Sequence, residues 1–183
     1  TYGETLNLPT EPTRRGYAFL GWFTQETGGT QVDGNTVFKE VASTTYYAHW
    51  EETTVFSVIV PAVLPVTVDQ NGKVYVSNAE IVNHSTAAVQ VSSVTLTAEN
   101  GWTLVPYASD MSHAKVDSNQ IGFKINSAQT SKTGSTEQFE LTSPWQINEE
   151  ESLTLTYDAV VSALSQPVTN ANILSVLFVV EWA

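Results

Sequence analysis

From Val55 to Trp182 the apolar residues recur at every second position in short runs, and turn-forming residues separate one run from the next. Successive side chains of a strand point to opposite faces, so this pattern suits half-buried β-strands and leaves little room for helices. "VFSVIV" (55–60) reads as a strand broken off by Pro61 and Pro65. "VTVDQNGKVYVS" (66–77) reads as a hairpin with Asn71-Gly72 at its tip, a pair that favours positive φ in a two-residue turn. "GWTLVPY", "IGFKIN", "EQFEL" and "SLTLTYDAVV" supply further strands. "NILSVLFVVEW" carries apolar residues on both parities, which predicts a central strand covered on two faces.

One run breaks its own alternation. In "AAVQVSSVTLTAE", Val89 and Val91 share one parity while Val94, Leu96 and Ala98 share the other. The slip at Ser92-Ser93 predicts a β-bulge or a strand that changes sheets. The one helical candidate, "YASDMSHAK", is short. About nine strands in roughly 130 residues predict a Greek-key β-sandwich over residues 54–183.

Residues 1–53 form a separate unit. Pro9 and Pro12 hold "LNLPTEP" extended. In "RRGYAFLGWF", simple alternation puts Tyr17, Phe19, Gly21 and Phe23 on one face and Ala18, Leu20 and Trp22 on the other. Both faces are apolar, as in a strand covered on two sides, and core packing is expected for Tyr17, Phe19 and Trp22. "TGGTQVDGNT" is dense in turn residues, "STTYYAHW" returns to alternation, and "EETT" (51–54) reads as a polar hinge.

The order of these residues is informative. Tyr2-Gly3, then Pro9, Pro12 and Arg14, then Gly16, Tyr17, Phe19, Gly21 and Trp22, then Gly28-Gly29, and finally Tyr47, Ala48 and Trp50 follow a fixed succession. It resembles the Listeria–Bacteroides repeat, the B-repeat module of internalin-type surface proteins, over residues 1–52. The resemblance implies a small β-grasp-like module strung along extracellular proteins as a spacer or adhesive element. It also implies an opening strand that would lie before Thr1, so the module is expected to lack its first strand. Such an open edge would be covered by the second unit or filled by a neighbouring chain's strand. The remainder resembles, in architecture alone, the β-sandwich modules of Gram-positive surface and fibre proteins.

Charge narrows the partners. Seven Lys and Arg against nineteen Asp and Glu give a net −12. An acidic surface repels phosphate backbones and anionic membranes, so nucleic acid is not an expected partner. No run approaches the roughly 20 apolar residues of a membrane span. The absence of cysteine excludes a disulfide framework.

No residue is nominated as catalytic, cofactor-binding or metal-ligating. There is no G-x-S-x-G, no H-E-x-x-H and no phosphate-cradling glycine loop. His49, His84 and His113 lie in three different elements, and His49 reads as a solvated strand residue. Glu149, Glu150 and Glu151 read as a solvated turn before they read as a calcium site. Lys124, a candidate for an intramolecular crosslink, lies opposite Ile121, Phe123 and Ile125 and is expected in solvent. "NHS" at 83–85 matches a glycosylation acceptor. Trp102, Tyr107 and Trp145 fall outside the long alternating strands, where an exposed planar set would stack on sugars. The 127–136 segment, "SAQTSKTGST", is small and polar and reads as a protease-sensitive loop.

The sequence therefore reads as a non-enzymatic extracellular module of a bacterial cell surface, acting as spacer, adhesive element or fibre component. Its partners would be a protein or glycan at the cell surface, or copies of itself. The alternatives are a carbohydrate-binding accessory module of a secreted polysaccharide-degrading enzyme and a self-assembling fibre subunit using strand addition.

Overall fold

A computed structural model describes residues 2–39, 43–68 and 74–183. The chain divides into two compact units, Thr1–Phe56 and Ser57–Ala183. Both are built from strands, so the all-β class stands. Helix among the described residues is confined to one 3-10 turn, Met111–His113, inside the weak helical candidate.

In the first unit, β1 (Tyr17–Phe23) lies between β2 (Gln31–Val32) and β3 (Tyr47–Glu52), antiparallel to both. The register slips inside β1: Phe19 opposes Trp50, yet Gly21 opposes His49, which leaves Leu20 as an extra residue. Simple alternation would put Phe19 and Trp22 on opposite faces, and the slip brings them together. Their rings meet edge-on at 5.5 Å, and Phe19 meets Trp50 at 5.4 Å.

The bulge has a visible cause. Gly21 adopts φ +128°, a conformation that side chains resist, and the Gln31 amide lies where a Cβ would stand. That amide donates to the Leu20 carbonyl at 2.9 Å. Ala18 and Leu20 are exposed, so β1 is not covered on two sides as its composition suggested. The expected hinge is also displaced. Glu51 and Glu52 pair with Ala18 and Tyr17, and the Thr53 N–H donates to the Gly16 carbonyl at 2.7 Å.

The second unit contains β4 (Val58–Ile59), β5 (Val66–Val68), β6 (Val74–Val76), β7 (Ala79–Asn83), β8 (Val89–Ala98) and β9 (Thr103–Leu104). It continues with β10 (Gln120–Ile125), β11 (Ala128–Gln129), β12 (Thr136–Ile147), β13 (Ser152–Leu155), β14 (Tyr157–Val161) and β15 (Leu174–Trp182). One sheet has the order β12-β8-β15. A second has β11-β10-β14 with β9 also on β10, and a third has β13-β7-β4. β5 and β6 pair with each other, and the Asn71-Gly72 tip between them lies outside the described residues. Each connection into or out of β8, β12 and β15 leaves their sheet, as in a sandwich with crossing connections.

Side chains from the three larger sheets fill one core. Val89, Val91, Val94 and Leu96 of β8 meet Ile121, Phe123 and Ile125 of β10, together with Ile81, Leu155 and Tyr157. The parity slip in β8 is a bulge. Val91 opposes Val180 and Ser93 opposes Val179, so Ser92 is the extra residue, and Ser93 and Val94 are consecutive yet both buried. "SLTLTYDAVV" divides at Thr156 into β13, which pairs with β7, and β14, which pairs with β10.

Two expectations fail in this unit. β15 is an edge strand, paired only with β8 among the described residues, and Leu177 and Val179 are exposed. Its second apolar parity faces outward, so β8 takes the central place. The 127–136 segment is pinned along its length. Ala128 and Thr130 are buried, Phe123 and Thr130 exchange hydrogen bonds, and Leu104 and Gly134 exchange two more at 2.8 and 3.1 Å. Small polar side chains bury little, but here the backbone N–H groups of Thr130, Ser131, Lys132 and Gly134 are each hydrogen-bonded.

Candidate functional site

The polar residues that are best enclosed in the second unit gather around Asn83. It ends β7 with no exposed surface, and its amide Nδ2 donates toward the carbonyls of Ala87, Ile147 and Asn148 at 2.9, 3.1 and 3.0 Å. Its Oδ1 accepts from the Ser85 N–H at 2.8 Å, and its own N–H donates to the Glu151 carbonyl. Ser85, also fully buried, accepts from the Ser57 N–H and donates to the Ser57 carbonyl. Two neutral side chains thus tie β7, the entry to β8, the end of β12 and the segment before β4. A buried polar group is tolerated when it is satisfied in this way. The arrangement overturns the glycosylation reading of "NHS", because the acceptor nitrogen is enclosed and fully engaged.

The neighbouring acidic turn is structural too. Glu150 adopts φ +59°, the Glu151 carboxylate accepts from Asn148 Nδ2 at 2.9 Å, and His84 Nδ1 lies 3.4 Å from Glu150 Oε2. Among the described residues no three His, Cys, Asp or Glu side chains are grouped closely enough to hold a metal ion.

Glu137 supplies a second strut. It is buried on β12, and its carboxylate accepts from the Ser131 hydroxyl at 2.5 Å, the Ser131 N–H at 2.9 Å and the Lys132 N–H at 3.3 Å. Nothing in the spacing of the sequence announces this bond; a lone Glu at a core parity in "EQFEL" is its only trace.

The aromatic trio does not form a sugar platform. Trp145 is buried in the core, and its Nε1–H donates to the Ser127 hydroxyl at 2.9 Å. Trp102 is half-buried against that same core. The Tyr107 hydroxyl donates to Asp158 Oδ2 at 2.7 Å, and that hydrogen bond raises the phenol pKa above its ordinary value. Lys124 is exposed, opposite the buried Ile121, Phe123 and Ile125, as its parity required.

Three carboxylates are held below their ordinary pKa by hydrogen-bond donors. Asp33 accepts from the Thr36 hydroxyl and the Asn35 N–H, and Asp110 from the Ser112 N–H. Asp117 accepts from the Ser165 hydroxyl and N–H at 2.7 and 2.8 Å. Each closes a turn or fastens a loop.

In the first unit, Arg14 lies over the Tyr17 ring at 3.8 Å, a cation–π contact. His49 stacks flat on Phe23 at 3.9 Å, with its Nε2 2.9 Å from the Gln25 carbonyl. It is half-buried and fastens a loop, so it is not the simple solvated residue that its parity suggested. Two open clefts lie on the surface of the described residues. One lies between Ser127–Gln129 and the bulged part of β12, and the other beside Tyr17, Leu20, Ala48 and Trp50.

These contacts describe an all-β protein of two units whose enclosed polar side chains serve the fold. Residues 1–49 match the Listeria–Bacteroides repeat domain family, so the first unit carries that repeat, which is typical of surface proteins. No curated protein and no solved structure matches the chain. No helix among the described residues is long and apolar enough to cross a membrane.

Proposed function

We propose that this chain is a non-enzymatic, extracellular segment of a bacterial surface protein and that it acts as a spacer. The repeat at residues 1–49 carries the reading, since its family belongs to surface proteins. The second unit supports it. The buried Asn83, Ser85 and Glu137 side chains each bond to remote backbone groups, and the Trp145 indole bonds to the Ser127 hydroxyl. A spacer needs that kind of internal bracing and no convergent set of reactive groups.

A glycan array probed with the full chain tests the reading. Signals no higher than those of an unrelated acidic β-sandwich support the spacer. Dose-dependent binding to one glycan class, lost in Trp102→Ala, would transfer the protein to the carbohydrate-binding class.

A further inference from the structure

The two ends of the second unit are fastened to the same turn, the one that joins β7 to β8. At Ser57 the N–H donates to Ser85 Oγ at 3.0 Å, and the carbonyl accepts from that hydroxyl and from the His84 N–H at 3.3 and 2.8 Å. The Ala183 N–H donates to the Ala88 carbonyl, three residues beyond Ser85, at 3.1 Å. The neighbouring ladder pairs agree. Val58 opposes Asn83, the last residue of β7, and Trp182 opposes Val89, the first of β8. Asn83 shapes the turn between the two fastenings through its bonds to the Ser85 N–H and the Ala87 carbonyl.

Length and direction both follow from this placement. Ser85 to Ala88 spans about 11 Å at most, and each bonded pair adds about 5 Å between Cα atoms, so the folded unit holds its ends within about 2 nm. β8 alone, from Val89 to Ala98, is about 33 Å long. The line joining the two ends therefore runs across the strands. A pull along that line loads the ladder bonds of β4 and β15 one after another, starting at the turn. A pull along the strands loads a whole ladder at once. The buried Asn83 and Ser85 stand at the loaded pole, whereas β8 turns at its far end through the exposed Asn100-Gly101.

We propose that the second unit is an extensible element, in which tension between its two ends is borne at one pole, across the Asn83–Ser85 hub, and is relieved by unzipping. The inference rests on the spacer reading and adds a mechanical property to it. Folded, the unit lengthens a spacer by about 2 nm. Opened, its 127 residues (183 less 56) reach about 46 nm, a gain of about 44 nm.

The experiment uses the full chain with two alternative attachment pairs, which the absence of native cysteine allows. Ser57→Cys with Ala183→Cys takes hold of both ends at the pole. Ser57→Cys with Ala171→Cys moves one hold to the far end of β15, beside Asn172, whose carbonyl accepts from the Asn100 amide. All three positions are exposed, and the bonds at Ser57 and Ala183 are made by backbone that the substitutions keep. Spin labels on the Ser57–Ala183 pair should lie about 2 nm apart, and those on the Ser57–Ala171 pair about 1 nm further or more. In optical-tweezer extension the Ser57–Ala183 pair should open at about half the force of the other pair or less, with about 44 nm gained. Thr1–Phe56 lies outside both pairs and contributes no step. An opening force for Ser57–Ala183 that equals or exceeds that for Ser57–Ala171 overturns the proposal, and so does a label distance as long as that of the other pair. A glycan-array signal would count against the spacer reading and leave both forces unchanged, so the two failures are told apart.

Discussion

Replacing Asn83 by alanine removes the most connected side chain of the second unit. The two Nδ2 hydrogens, shared among three carbonyls, and the bond accepted by Oδ1 are lost, about three hydrogen bonds in all, and none can be replaced by water without opening the core. At a net 0.5–1.5 kcal/mol each, with a further penalty for the buried Ser85 N–H left unpaired, the loss is about 3–5 kcal/mol. That is a large share of the roughly 5–15 kcal/mol that holds a domain together. Asn83→Asp refines the test. A carboxylate keeps the acceptor for the Ser85 N–H but faces three carbonyls with no donor, so at neutral pH it should be worse than alanine. Acidification should partly restore it, because the folded-state pKa is raised and the protonated acid regains one donor. Amide exchange of Val89–Ala98 during urea titration reads the second unit alone. A loss under about 1 kcal/mol in Asn83→Ala, or an aspartate variant more stable than the alanine one, would refute this account of the hub.

Other outcomes follow from single contacts. Gly122→Ala would set a Cβ 2.7 Å from Val160 Cγ2, 2.8 Å from Tyr107 Cα and 2.9 Å from the Pro106 carbonyl. With backbone on one side, the misfit should cost about 1–3 kcal/mol in urea unfolding. Glu137→Ala should release the Ser131 and Lys132 backbone and make the 127–136 segment the first site of limited proteolysis, whereas the wild type should resist there. Stability should form a plateau in pH. The lowered pKa values of Asp33, Asp110 and Asp117 contribute stability that is present above their ordinary value near 3.8 and is lost as pH falls further. The raised Tyr107 pKa contributes stability present below pH 10.0 and lost as pH rises beyond it, so Tyr107→Phe should flatten the alkaline limb of a thermal-melt series.

Much of the fold was legible because parity is a local property. The slip at Ser92-Ser93 could be read from the change of apolar parity between Val91 and Val94, which left a bulge or a change of sheet open, and the β8–β15 register decides for the bulge. Lys124 was placed in solvent by the same rule. What escaped depended on partners remote in sequence. β1 and β15 are equally apolar on both parities, but apolar residues on a face do not say whether anything covers it, and Leu20 and Leu177 remain exposed. The Leu20 slip was hidden because it depends on Gln31 filling the space beside Gly21. Asn83 reads as a surface acceptor in a three-residue pattern, and only the return of β12 sixty-four residues later encloses it. His49 similarly needed Phe23 beside it, across a strand pair.

Single-molecule extension of the full chain, held at its two ends, tests most directly that these contacts brace a spacer. Two discrete ruptures are expected, one releasing the 56 residues of Thr1–Phe56 and the other the 127 residues of Ser57–Ala183 (183 less 56). At about 3.6 Å per residue, they correspond to roughly 20 and 46 nm of chain, less the folded spans. The larger step should rupture at lower force in Asn83→Ala. A chain that lengthens gradually without ruptures, or an Asn83→Ala trace indistinguishable from wild type, would contradict the claim.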